Sequence, residues 1–325
     1  MVIKTKFFVI KWFAKCIAKT IQLLIKLGCP ILANKIYNKS RWEVKRSFLE
    51  ILKPFKKEIC WEIELLNTKT ISAYICKDST GWNNILTYYT YAPELCILEN
   101  IISNYLSNKS IYVDIGANYG VRSLLMLSEG IKTYMFEANP YLIKELEERC
   151  FVNKFKNYKI ESLAVSCNQS SSTFYISNRN SMSSLELEFA ETKGVKETII
   201  IETVSLDYYF DELLKNKNEG LHFIKIDVEG HELKVIEGAK RIIHEIKPVF
   251  LIEIANLVDK LKIINLFLDC GYSIYCIQWG FKKILCELTN NQKIIEQSLD
   301  FLFIPNVQST KKLITQFKKE LLMIE

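Results

Sequence analysis

The spacing of apolar and polar positions changes several times along the chain, and each change marks an element. From residue 3 to 33, IKTKFFVIKWFAKCIAKTIQLLIKLGCPILA, apolar side chains recur at helical spacing and a lysine interrupts them every few positions up to Lys26. At about 100° per residue Lys4, Lys11, Lys15, Lys19 and Lys26 fall within an arc of roughly 80°, which predicts one basic amphipathic helix. A second short helix is expected over 41–52, ending ahead of Pro54. Period two then takes over: 59–66 and 70–77, joined by Asn67-Thr68-Lys69, read as a hairpin. The stretch 81–91, GWNNILTYYTY, is aromatic-rich, and Pro93 opens a helix with Leu95, Leu98, Ile102 and Leu106 on one side.

From 111 onward short apolar runs alternate with helical stretches, and residues 111–141, IYVDIGANYGVRSLLMLSEGIKTYMFEANPY, set the pattern. An apolar run broken only by Asp114 leads straight into Gly116-Ala-Asn-Tyr-Gly120. A short helix over 122–130 stops at Gly130, and a second strand over 132–136 is closed by Glu137. This is half of a doubly wound nucleotide-binding fold. In such folds ligands sit beyond the carboxyl ends of the strands, where an acid such as Glu137 can accept from both ribose hydroxyls. The turn is not the G-x-G-x-x-G that cradles a pyrophosphate, and Asp114 beside it repels phosphate and welcomes a cation. S-adenosylmethionine meets those conditions: it carries adenosine, a sulfonium, an ammonium and no phosphate.

The ordered set VDIGANYG, FEANP, IKIDVEGHE and LIEI resembles the FkbM family of S-adenosylmethionine-dependent O-methyltransferases over about 91–305. The resemblance implies a Rossmann-like class I α/β fold: a seven-stranded, mostly parallel sheet whose last strand runs antiparallel, with helices on both faces and a helical N-terminal extension. It implies a cofactor site at Asp114, Gly116, Asn118, Gly120, Glu137, Ala164 and Asp227, with Ala164 against adenine. The polar stretch 170–185 resembles the family's serine-containing loop ahead of Ser183-Ser184, expected to gate or touch substrate.

Candidate chemistry gathers where the strand over 222–228 ends. Asp227, Glu229 and His231 converge there, next to a helix expected over 233–243. An alcohol must lose its proton as its oxygen attacks the methyl group, so His231 is the first candidate for general base, Glu229 the second, and Asp227 positions cofactor or acceptor. His222 and His244 have weaker claims. Some O-methyltransferases of this fold hold a divalent ion between carboxylates and an amide. Asp227, Glu253 and Asn256 resemble such a set, while FkbM-like sequences are not generally metal-dependent, and none is expected.

Composition changes this picture at one end only. The chain has 325 residues, 49% of them hydrophobic, and a net charge of +6. Residues 1–57 carry 14 Lys and Arg against 2 Asp and Glu; the other 268 carry 29 against 35. The chain thus divides into a basic helical extension (1–57), a hairpin and aromatic segment (58–92) and a methyltransferase domain (93–325). Lysines interrupt 3–33 too often for a membrane-spanning helix or a signal peptide. What remains is a helix lying on an anionic cytoplasmic membrane face, or one whose apolar face packs on the catalytic domain or a sister subunit. Nucleic acid is not expected, because the lysines alternate with aliphatic clusters. The ten cysteines show no C-x-x-C pair and read as reduced thiols in cytoplasm.

These features together predict S-adenosylmethionine-dependent O-methylation of a hydroxyl-bearing small molecule, with a carbohydrate or glycan precursor preferred. Three alternatives remain open at this point: a membrane-associated scaffold on an inactive cofactor fold, a metal-assisted O-methyltransferase, and an oxidoreductase, which requires NAD to compete with S-adenosylmethionine.

Overall fold

The computed structural model describes residues 2–27, 30–40, 44–45, 47, 59–65, 67–75, 93–107, 109–178, 182–215, 220–277, 285–288 and 292–320. Two compact units emerge, residues 1–100 with 148–154 and residues 101–147 with 155–325. The aromatic stretch 81–91 lies outside the described residues, as does most of the helix expected over 41–52.

In the first unit the long amphipathic segment is two helices, α1 (Val2–Lys26) and α2 (Pro30–Lys39), packed on each other. The single helix expected over 3–33 is therefore corrected. Pro30 has no N–H to continue a helix but fits the first position of a new one. The hairpin β1 (Ile59–Glu64) and β2 (Thr70–Ile75) forms as the alternation predicts, with Trp61 facing Ala73 and Ile63 facing Ile71. Trp61 and Ile63 are fully buried, and Trp61 meets the Tyr37 ring edge-on at 5.4 Å.

The second unit is built on a twisted sheet. After α3 (Pro93–Tyr105) come β3 (Ser110–Ile115), α4 (Val121–Ser128), β4 (Lys132–Phe136), α5 (Pro140–Val152) and β5 (Tyr158–Glu161). Next follow β6 (Ala164–Val165), β7 (Ser170–Ser177), α6 (Leu187–Lys193), β8 (Val195–Val204), α7 (Leu206–Tyr209), α8 (Asp211–Lys215) and β9 (Gly220–Ile226). The chain continues through α9 (Glu232–Glu237), β10 (Val249–Glu253), α10 (Leu257–Asp269), β11 (Tyr272–Ile277), β12 (Leu285–Glu287), α11 (Gln292–Gln297), β13 (Asp300–Pro305) and α12 (Lys311–Glu320).

Among the described residues the main sheet has eight strands in the order β12-β11-β13-β10-β9-β3-β4-β5. The expected seven are all present, and β13 runs antiparallel to both its neighbours β10 and β11. The eighth, β12, is a three-residue arm laid antiparallel on β11 with Cys286 opposite Cys276; a run that short leaves no periodic signal. β3 lies between β9 and β4 and all six of its residues are buried, which is why its sequence is a near-continuous apolar run. Phe267 packs against Phe250, Tyr272 and Phe303, joining α10 to the sheet.

Two further expectations are corrected. Residues 170–177, read as loop, are strand β7, which pairs antiparallel with β8 in a separate three-stranded sheet of order β6-β8-β7. Phe174 and Ile176 point inward while Ser170 and Ser171 remain in water, so an edge strand with a serine-rich outer face concealed its period. The helix expected over 233–243 ends at Glu237 and is followed by a π-helical turn at Ile242–Ile246. The Gly238 carbonyl is diverted out of the ladder, accepting from the Asp207 N–H at 2.9 Å.

One backbone contact sets the site. Gly116, at φ 76°, passes so close to the end of β9 that a Cβ there would stand 1.9 Å from the Asp227 carbonyl oxygen. An alanine would meet both that clash and the left-handed penalty. Gly116→Ala is expected to lower stability by at least about 2 kcal/mol, read as a lower urea midpoint at unchanged m-value.

Candidate active site

β3, β4 and β9 are parallel neighbours, and their carboxyl ends open onto one cleft. Its lining comes from the turns after those strands (Ile115, Gly116, Asn118, Glu137, Ala138, Asp227, Val228, Glu229, His231) and from Leu163, Ala164, Val165, Phe174, Ser183 and Leu185. One wall is apolar, made by Phe136, Leu142, Leu163, Val165 and Phe174. Glu137, Asp227 and Glu229 form its acidic side, and no Lys or Arg is among the described lining residues.

Glu137 sits where the end of β4 was expected to offer a carboxylate. Its Oε2 accepts the Asn118 N–H and its Oε1 the Asn139 N–H, each at 2.7 Å, so the side chain is fixed while each oxygen keeps a lone pair. Burial pushes its pKa up to about 7, against the pull of those two amides. Asn118 holds this position from a left-handed backbone, φ 54°, and its own Oδ1 accepts the Tyr119 N–H.

Asp114 and Gly120 are not on the cleft surface. Asp114 is buried one layer below, where Oδ2 accepts from Ser123 Oγ at 2.6 Å and Oδ1 has no hydrogen-bond partner but faces Lys225 Nζ at 3.8 Å. Burial raises its pKa and Lys225 opposes that rise. Lys225 also donates to Asp227 Oδ2 at 3.1 Å. This buried lysine escaped the sequence reading because it stands inside the apolar run of β9. Its signal is an inward lysine flanked by Ile224 and Ile226, two residues from an aspartate.

The three residues expected to converge after β9 do so. Asp227 and Glu229 border the cleft, and Glu229 adopts a left-handed backbone, φ 55°, a costly conformation that commonly marks functional turns. Burial first, then the charges of Asp227 and Glu232, push the Glu229 carboxyl well above the usual range. Glu232 is pushed up to about 7 by burial, and its Oε1 accepts from the N–H groups of Val228 and Gly230, which holds the turn.

His231 lines the cleft, but both ring nitrogens are engaged. Nδ1 lies 2.6 Å from Glu186 Oε1 and Nε2 lies 2.9 Å from Ser166 Oγ. A carboxylate only accepts, so the proton is assigned to Nδ1, and Nε2 accepts from Ser166. The ring thereby ties the turn after β6 to the residue ahead of α6. Neither Glu186 nor Ser166 was legible in sequence, standing 45 and 65 positions from His231. Ser184, from the expected serine pair, donates to the Glu229 carbonyl at 2.8 Å, and Ser183 lines the cleft.

The residues of the metal-like set behave differently from one another. Asn256 caps α10, its Oδ1 accepting from the N–H groups of Val258 and Asp259, while Glu253 is raised chiefly by the charge of Asp227. Among the described residues no group of three or more His, Cys, Asp or Glu is arranged to hold a metal ion. His244 lies away from the cleft with Nε2 3.3 Å from Cys270 Sγ, and His222 is an exposed residue of β9.

The cleft fits S-adenosylmethionine. The apolar wall suits an adenine face, the free lone pairs of Glu137 suit a ribose diol, and the acidic side suits the sulfonium and ammonium.

Residues 114–274 match the family model described as the methyltransferase FkbM domain. Among solved structures, a methyltransferase FkbM from Methylobacillus flagellatus KT is 17% identical with a TM-score of 0.42, over 67% of this chain and 52% of that one. The present chain therefore spans about half of that protein. A SAM-dependent methyltransferase from Agrobacterium tumefaciens is 10% identical, TM-score 0.40, over 78% and 73%. The tRNA (uracil-54, C5)-methyltransferase of Pyrococcus abyssi, in complex with S-adenosyl-L-homocysteine, is 12% identical, TM-score 0.35, over 65% and 38%. No curated protein matches the chain. Residues 114–274 are thus a methyltransferase FkbM domain.

Proposed function

We propose that the protein transfers a methyl group from S-adenosylmethionine to a hydroxyl, with Glu229 as the general base. The observation that carries this reading is the pairing of a fixed ribose-type acceptor, Glu137, with a cleft-lining carboxyl of raised pKa, Glu229, in one cleft. S-adenosylmethionine supplies an electrophilic methyl on a cationic sulfur. Glu137 orients the nucleoside, and the Leu163, Val165 and Phe174 side chains exclude water around the base. The acceptor approaches along the acidic side, where Glu229 takes the hydroxyl proton; a carboxyl held near neutrality is matched to that task.

His231 was the first candidate for this role, and the order now reverses. With Nδ1 on Glu186 and Nε2 on Ser166 it has no nitrogen left for an acceptor proton, so we assign it to positioning the wall of the cleft. The acceptor class we favour is a carbohydrate or glycan precursor, since a rim of Asn118, Ser183, Asp227 and Glu229 offers several groups to neighbouring hydroxyls. Incubation of the purified chain with labelled S-adenosylmethionine and glycan extracts tests that class; label confined to protein or lipid acyl fractions refutes it.

Three outcomes are expected. Glu137→Ala should weaken S-adenosylmethionine binding about 100-fold by calorimetry, the worth of two hydrogen bonds to a charged group.

Because ribose hydroxyls donate best to an ionised Glu137, affinity should rise with pH up to about 7, by at most about tenfold per unit, and then level. Below that value binding should release a proton, seen as a dependence of the calorimetric heat on buffer ionisation enthalpy.

Glu229→Gln should lower kcat by roughly 10²–10³-fold with little change in cofactor affinity. The acid limb of the wild-type kcat profile should lie above the ordinary carboxylate range, because the base must be deprotonated and its pKa is raised. His231→Ala should cost about tenfold or less, since it removes positioning alone; a loss as large as that of Glu229→Gln would restore His231 as the base.

A further inference from the structure

The helix α1 has two apolar faces, and only one is covered. Ala14, Ala18 and Ile21 are buried along with Gln22. At about 100° per residue these four, two alanines, an isoleucine and a glutamine, occupy an arc of roughly 100°, and α1 packs along α2. Trp12 is 58% exposed, Phe13 57% and Leu23 55%, and Ile17 is also exposed. They share a separate arc of roughly 140°, and the Trp12 and Phe13 rings meet edge-on at 5.2 Å. Lys15 and Lys19, both exposed, lie on the seam between the two arcs. Among the described side chains of α1 both aromatic rings are therefore left in water while two alanines are buried, which reverses the arrangement of an ordinary surface helix.

An uncovered arc of this composition needs a partner that accepts aromatic and branched side chains at no fixed register and carries negative charge. The 57 residues that contain it have 14 Lys and Arg against 2 Asp and Glu, so a second copy of the chain would bring like charge against like. No helix among the described residues is long and apolar enough to cross a membrane. We infer that α1 docks this protein on an anionic lipid surface, lying in the plane of the headgroups with Trp12, Phe13, Ile17 and Leu23 in the acyl boundary and Lys15 and Lys19 among the phosphates. Trp and Phe supply the apolar contact, and the lysine stems reach outward along the seam to keep their ammonium groups in water. The docking is a property of α1 and is independent of the methyl-transfer reading.

The test uses the full chain, without cofactor, sedimented with vesicles of phosphatidylcholine alone or with roughly one third phosphatidylglycerol, a charge density at which each basic residue counts. Binding is expected to the anionic vesicles, to weaken as sodium chloride is raised, and to be marginal on phosphatidylcholine. The double variant Trp12→Ser/Phe13→Ser should bind at least about tenfold more weakly at an unchanged melting temperature. Lys15→Glu/Lys19→Glu, which removes no apolar contact, should also lose about tenfold or more and serves if the first variant does not fold. Three results would overturn the inference: no binding of the wild-type chain, equal binding of both variants, or a dimer at micromolar concentration that Trp12→Ser/Phe13→Ser converts to monomer. Vesicle binding needs no turnover, so its failure and a failure of methyl transfer are read separately.

Discussion

The close passage of Gly116 against the carbonyl of Asp227 is the constraint on which the rest of the site depends. The Asp227 N–H donates to the Ile115 carbonyl at 3.0 Å, and the Gly116 and Ala117 N–H groups both donate to the Phe136 carbonyl at 3.0 Å. Three strand ends are thereby locked at one level by backbone bonds alone. Because the glycine has no side chain, the turns after β3, β4 and β9 diverge from a common point, and the cleft is the space between them. Asn118, Glu137 and Glu229 inherit their positions from that junction, and two of them accept left-handed backbone to do so.

A second feature is the number of buried acids held close together. Glu137, Glu229, Glu232 and Glu253 are all raised by burial or by neighbouring carboxylates; Lys193 and Lys225 partly offset the rise at Glu229, and Lys225, paired with Asp227, does so at Glu253. Left alone, such a group costs stability as pH rises, since each carboxyl ionises more easily in the unfolded chain than in the folded one. For Glu137 and Glu232, each pushed up to about 7, the loss falls between the ordinary carboxylate range and about pH 7. A cationic ligand relieves that repulsion. The site therefore favours a positively charged donor by being poorly suited to its own charge, a common relation between stability and function.

The two units carry opposite electrostatic characters, one basic and one acidic. In the first, Trp12, Phe13, Ile17 and Leu23 of α1 stay in water while Ala14, Ala18 and Ile21 are buried. In the second, large apolar side chains form a conventional core around the sheet, from Phe223 stacked on Tyr112 at 5.1 Å to the Phe267 cluster. The proposed lipid docking rests on the character of the first unit, and the proposed methyl transfer on that of the second.

By itself the sequence determined the strand–turn–helix–strand frame around 111–137, the acid at 137, and the convergence of Asp227, Glu229 and His231, because each depends on spacing within some 30 residues. The charge division at residue 57 was equally legible, being composition. What needed the tertiary structure were pairings across distance: Glu186 and Ser166 on His231, Lys225 between two aspartates, and Phe174 in the apolar wall. The strand β7 belongs with these, since it pairs with β8, whose partner positions run from Val195 opposite Ser177 to Thr203 opposite Ser170. It also took the fold to show that α1 exposes its aromatic arc, for a hydrophobic pattern states that a face is apolar and not what lies against it. Local periodicity is written by neighbours in sequence. Which nitrogen, carboxyl or ring meets which is decided only when the sheet has brought its strand ends together.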